Sequence, residues 1–239
     1  MRTLKAIAAL LHYPEEELVE EADLLREALA GEGLLDRDEL AAVGAFLDEL
    51  CARELIDVQA RYVETFDRGR ARSLYLFEHV HGESRDRGQA MVELSHVYRR
   101  HGYAISAREL PDYLPLYLEF LSMLPLPAAL EKLAEIGELV QHLHAQLAGR
   151  RSAYAALLAP LLRMAGFASD DAGLREQAAA EPADDTPAAL DAAWMETPVI
   201  FGPRDAGACG GTGRGGSEQS VQWHDRRVST KNAQSRGGE

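Results

Sequence analysis

The chain has 239 residues, 25 Lys and Arg against 39 Asp and Glu, and a formal charge of −14. That length suits one domain, alone or with a tail. The acidic balance argues against a general nucleic-acid binder, which needs a basic face to displace phosphate counterions, and against unaided adsorption to an anionic membrane. Two cysteines, Cys51 and Cys209, cannot build a disulfide framework or a four-thiolate zinc site. The charge is segregated. Residues 13–54 hold 14 acidic and 3 basic residues, and 169–203 hold 8 and 1, whereas 61–121 hold 9 of each.

The pattern is helical nearly throughout. After Met1-Arg2-Thr3-Leu4-Lys5 a short apolar run to Leu11 ends at His12-Tyr13-Pro14 without a signal-peptide cleavage pattern. No stretch approaches the roughly 18 apolar residues of a spanning helix, so the expectation is a cytoplasmic protein without direct membrane insertion. Pro14 suits the first position of a helix, followed by Glu15, Glu16 and Glu17 at its positive end. Asp36-Arg37-Asp38-Glu39 has capping-box spacing, flanked by Leu35 and Leu40 as a hydrophobic staple. Apolar residues from Leu40 through Leu47, Leu50, Leu55 and Tyr62 to Phe66 then recur at mostly three- and four-residue steps. They predict one long amphipathic helix, with Cys51 on its buried stripe.

Gly69 and the Arg68, Arg70, Arg72 cluster mark a break. A short apolar segment, 74–80, ends at Gly82, and Ser84 is placed to cap a helix that stops at His101-Gly102. Ser106 to Glu109 reads as a single turn, and a helix begins near Asp112 with Pro115 in its first turn. That helix is apolar all round, which puts it at the centre of the core. Two more helices are expected at about 126–148 and 152–166. Residues 169–193, rich in Ala, Asp and Glu with Pro182 and Pro187, read as a linker, and 202–239, rich in Gly, Ser and Arg, as a disordered tail. The expected organisation is therefore an all-α single helical bundle over 1–168, an acidic linker with a C-terminal apolar box over 169–201, and a tail over 202–239.

Chemistry-bearing patterns are sparse. His79 and His81, two apart, point about 200° apart on a helix and cannot share an ion. His142 and His144 fail by the same geometry and are expected on helix flanks. Gly210 to Gly216 lacks the strand, the helix and the Lys-Ser/Thr ending of a phosphate loop. No serine sits in a nucleophile elbow. No permanently bound metal or cofactor is expected.

The informative string is 61–121. Phe66-Asp67-Arg68-Gly69-Arg70-Ala71 leads through Ser73-Leu74 to Leu76-Phe77-Glu78-His79-Val80-His81-Gly82-Glu83-Ser84-Arg85-Asp86-Arg87-Gly88-Gln89-Ala90-Met91. This run resembles the signature of the NarJ family, dedicated chaperones of respiratory nitrate reductase related to the TorD and DmsD redox-enzyme maturation proteins. Tyr62-Val63-Glu64-Thr65-Phe66 resembles the wider family's Y-x-x-L-F element with Thr65 in place of Leu. Glu109-Leu110-Pro111-Asp112-Tyr113 resembles its E-x-x-D-H element with Tyr113 in place of His. Residues 194–201 resemble the family's C-terminal box, with Thr197 replacing an acidic residue. The matches span about residues 1–201.

The resemblance implies a TorD-like all-helical, cytoplasmic, non-enzymatic chaperone. It would bind the immature catalytic subunit at its N-terminal segment and at a second region. It would hold that subunit competent for insertion of the molybdenum bis-guanine-dinucleotide cofactor and delay its docking to the membrane subunit. The implied client-binding positions are Tyr62, Phe66, Asp67, Arg68, Glu78, His79, His81, Glu83, Arg85, Arg87, Asp112 and Tyr113. Local structure offers a plainer role for some of them: Asp67, Ser84 and Asp112 as helix caps, and Arg85 as a brace for Glu78. His79 and His81 are candidates for pH-tuned release. A chaperone for a different molybdoenzyme, and a metal- or nucleotide-dependent helical enzyme, are the competing readings.

Overall fold

The computed structural model describes residues 1–81, 85–105 and 109–194, apart from the side chains at 81, 85, 193 and 194. Expectations that fall on Gly82 to Ser84, on the turn at 106–108, on the box beyond Trp194 and on the tail lie outside the described residues. Among the described residues there are thirteen helices. They are α1 (Arg2–Leu11), α2 (Glu16–Glu20), α3 (Ala22–Gly31), α4 (Arg37–Cys51), α5 (Leu55–Phe66), α6 (Leu76–His81), α7 (Arg85–Arg100), α8 (Leu114–Ser122), α9 (Leu126–Glu135), α10 (Gly137–Gly149), α11 (Ala155–Ala165), α12 (Ala172–Ala180) and α13 (Pro187–Trp194). The only extended pairing among them is one isolated antiparallel bridge, Tyr75 with Tyr113. The all-α expectation holds.

α8 lies where its composition puts it. Leu114, Leu118 and Leu121 are fully buried, and the helix packs along α1, which buries Leu4, Ile7, Leu10 and Leu11. Around this pair α3 packs on α1 and α4, α11 packs on α4, α9 and α10, and α12 lies on α10. A helix that is apolar on every side is stable only when enclosed in this way.

Several caps follow the sequence. Asp36 accepts from the Asp38 and Glu39 amides, and Glu39 returns a bond to the Asp36 amide, completing the capping box. Gly102, at φ +82°, closes α7, with the Tyr103 amide donating to the Tyr98 carbonyl and the Gly102 amide to that of Arg99. That pairing is a Schellman motif. Pro115 sits in the first turn of α8. Pro14 falls before α2 rather than inside it, because Glu15 takes the cap position and α2 starts at Glu16.

The predicted long helix is two helices. It breaks at 52–54, where Glu54 is extended, and the five-residue step from Leu50 to Leu55 is where the buried face resets. Cys51 is consequently exposed, not buried, as the last residue of α4. The predicted 126–148 helix also divides, at Ile136. Gly166 at φ +82° turns the chain after α11 and brings Phe167 against Gly137, where a Cβ would overlap the ring. His144 is buried beneath α12 rather than flanking its helix.

Residues 169–193, expected as a linker, carry α12 and α13. Asp171 caps α12 by accepting from the Gly173 and Leu174 amides, and Thr186 caps α13 by accepting from the Ala189 amide. Both caps are ordinary Asp/Thr start signals, and Pro187 stands in its favoured first position. Loss of the Asp36 cap should be felt globally. Asp36→Ala is expected to lower unfolding free energy by about 1 kcal/mol, read as a fall in the urea midpoint at constant m-value.

Candidate functional site

The motif loop between α5 and α6 is built around an internal cation. Arg72 is 1% exposed. Its Nε donates to the Thr65 carbonyl at 2.8 Å, and its terminal nitrogens lie 3.1 Å from Asp185 and 3.6 Å from Asp184. Asp185 is also held by both terminal nitrogens of Arg150 at the end of α10, at 2.5 and 3.0 Å. Asp184 Oδ2 accepts from the Ala71 amide at 2.8 Å, and its carboxylate occupies the space a Cβ on Gly69 would need. Hydrogen bonding to Arg150 holds the Asp185 carboxyl below its ordinary range.

A second hook ties the loop to the segment before α8. The Leu76 amide donates to the Asp112 carbonyl at 2.9 Å and the Leu114 amide to the Leu74 carbonyl at 2.8 Å. The Asp112 carboxylate, fully buried, accepts from the Phe77 amide and so caps α6 from across the chain. Arg87 on α7 reaches Glu78 at 3.2 Å and Asp112 at 3.8 Å. Burial outweighs these contacts and raises the Asp112 carboxyl above its usual range.

These hooks leave two neighbouring clefts. The larger, about 470 Å³, is lined by Phe66, Asp67, Arg68, Gly69, Arg70, Ser73, Tyr75 and Glu78, and on its far side by Asp184, Ala189 and Leu190. The smaller, about 170 Å³, shares Phe66, Asp67 and Tyr75 and adds Tyr13, Tyr62, Leu74, Glu109 and Tyr113. Its floor is a phenol pair, Tyr62 Oη to Tyr113 Oη at 3.0 Å, with Tyr62 also donating to the Leu11 carbonyl. Burial pushes the Tyr113 phenol up to about 12 and raises Tyr62 as well. Partial desolvation likewise raises the Asp67 carboxyl at the rim.

Of the twelve positions singled out from sequence, Phe66, Asp67, Arg68 and Glu78 meet at the larger cleft, and Tyr62 and Tyr113 floor the smaller. Asp112 and Arg87 stand behind the surface as supports. Glu78 is braced by Arg87; the Arg85 and His81 side chains and Glu83 lie outside the described residues. His79 turns toward α10. Its Nε2 donates to the Ser73 carbonyl at 2.8 Å and its ring is 6.1 Å from that of His142. Burial lowers its pKa. The sequence reading passed over Tyr75, Arg150, Asp184 and Asp185. Two carboxylates between Pro182 and the Thr186-Pro187 helix start were the available signal.

The chain belongs to the nitrate reductase delta subunit family, whose model matches residues 20–160. It is 48% identical over 201 residues to the nitrate reductase molybdenum cofactor assembly chaperone NarJ of Escherichia coli (strain K12), covering 84% of this chain and 85% of that one. It is 44% identical over 209 residues to the probable chaperone of the same description, NarW, from that strain, covering 87% of each chain. The probable NarJ of Bacillus subtilis (strain 168) is 31% identical over 174 residues, covering 73% of this chain and 91% of that one.

Two outcomes follow from the geometry. Arg87→Ala leaves a buried carboxylate without its cation and should cost about 1–3 kcal/mol of stability, measured by denaturant unfolding. An unchanged midpoint would contradict that role. The lowered pKa of His79 means the folded state favours the neutral ring. Its contribution is present at higher pH and is lost as pH falls below about 6.5, the unperturbed histidine value. His144, also lowered by burial, acts in the same sense. His79→Gln should therefore flatten, without abolishing, the loss of unfolding free energy between about pH 7 and 5.

Proposed function

We propose that this protein is a maturation chaperone specific for the catalytic subunit of respiratory nitrate reductase. It acts without chemistry of its own: it binds the immature subunit, keeps it open to molybdenum bis-guanine-dinucleotide insertion and delays its docking to the membrane subunit. It works in the cytoplasm and binds the N-terminal segment and a second region of its client. The observation that carries this reading is 48% identity to an assembly chaperone of that description over 84% of the chain. That the three compared relatives are all described as nitrate reductase chaperones favours this client over another molybdoenzyme.

The motif clefts suit this work. They combine aromatic walls with charges of both signs, the combination that lets a peptide be held by burial and selected by charge. The client-contacting positions are Phe66, Asp67, Arg68 and Glu78 at the surface, with Tyr62 and Tyr113 beneath. Asp112 and Arg87 position them, and His79, His81, Glu83 and Arg85 are assigned to client contact by the motif alone. The acidic 13–54 region steers a basic segment toward it.

Isothermal calorimetry of the full chain with the reductase's N-terminal peptide tests this, with a scrambled peptide as control. Saturable binding of the native peptide alone is expected, weakened by Asp67→Lys with an unchanged melting temperature. Equal binding of both peptides would contradict the reading. Stoichiometric metal or tight nucleotide binding in parallel titrations would favour the enzyme alternative.

A further inference from the structure

The segment 181–190 behaves as a ligand of the motif loop that happens to be covalently attached. α12 before it has no buried residue, and its own anchorage on α10 includes the Gln146–Glu181 side-chain bond. Its other polar contacts run to the loop and to Arg150 at the end of α10. Asp184 takes the Ala71 amide and fills the space above Gly69, Asp185 lies between Arg72 and Arg150, and Ala189 and Leu190 wall the larger cleft. Arg72 cannot simply be vacated. A guanidinium 1% exposed whose carboxylate partners both come from this one segment would be stranded if the segment left unaccompanied. Whatever displaces it must bring carboxylates of its own.

We propose that residues 181–190 form a displaceable strap over the motif cleft, and that the surface beneath accepts a partner segment bearing paired carboxylates next to small apolar residues. The strap's own sequence, Asp184-Asp185-Thr186-Pro187-Ala188-Ala189-Leu190, is the template for that chemistry. The receptor is the Ala71 amide, Arg72 and Arg150, a fork of guanidinium donors suited to carboxylate recognition. The reading as a chaperone makes the partner a second, acidic region of the reductase subunit, distinct from the basic segment steered by the N-terminal acidic region. The strap itself does not depend on that reading.

The test uses the full chain and a synthetic peptide of residues 181–192. The D184N/D185N chain should bind this peptide at least about tenfold more tightly than the unmodified chain, whose strap competes, since one charge-assisted bond is worth about that factor. A peptide carrying Asn at both positions should bind neither, and adding Arg150→Ala to the D184N/D185N chain should remove the gain. Equal binding of the Asp and Asn peptides, or no binding to a folded D184N/D185N chain, would overturn the proposal. Should that chain fail to fold, the unmodified one still decides. Hydrogen exchange of the Ala71 amide should quicken severalfold as added salt loosens the strap, and salt-independent exchange would overturn it. If the peptide binds as expected but acidic segments of the reductase do not compete with it, the client assignment fails and the strap stands.

Discussion

The buried guanidinium of Arg72 is the constraint around which the motif face is organised. A cation taken out of water is tolerated only where acceptors face it, and here they come from two places, one close in sequence and one more than a hundred residues away. Thr65 offers a carbonyl from the end of α5, and Asp184 and Asp185 offer carboxylates from the segment between α12 and α13. Arg150 adds a second cation that keeps Asp185 ionised. The end of α5, the motif loop, the end of α10 and the C-terminal helices are thereby fixed to one another at a single point. The cleft lined by Phe66, Arg68, Tyr75 and Leu190 exists because of that fixation.

The Asp112 hook does the complementary work on the other side of the loop. It caps α6, sets the bridge between Tyr75 and Tyr113, and carries the Arg87 contact that orients Glu78. Motif residues thus divide by position. Those at the cleft are available to a partner, and those beneath it hold the first group in place. A signature that mixes both kinds is what the proposed client surface calls for, since its exposed groups depend on the buried ones for their placement.

Much of the architecture was legible from residues alone, and the failures have local causes. Asp36, Gly102 and Pro115 announced their helix ends because caps and turns act within four or five residues. The breaks at 52–54 and at Ile136 were hidden because apolar spacing continued across them. The first shows only in the five-residue step between Leu50 and Leu55, and the second lies beside Gly137, whose backbone packs against Phe167, thirty residues away. α12 and α13 were missed because Ala-, Asp- and Pro-rich composition outweighed two capping signals, Asp171 and Thr186-Pro187. The cleft was half legible. The motif named Phe66, Asp67, Arg68 and Glu78, but no local pattern announces that Asp184 and Asp185 lie on the loop. Long-range ion pairs leave no periodic trace.

The coupling of the motif face to the C-terminal segment is the claim on which the rest turns, and hydrogen–deuterium exchange of the full chain tests it most directly. The chain alone would be compared with the chain bound to the full-length apo catalytic subunit. Protection should rise across 66–78 and fall across 181–190 in the same complex. Protection rising at 66–78 with 181–190 unchanged, or a binding footprint lying wholly elsewhere on the bundle, would contradict it.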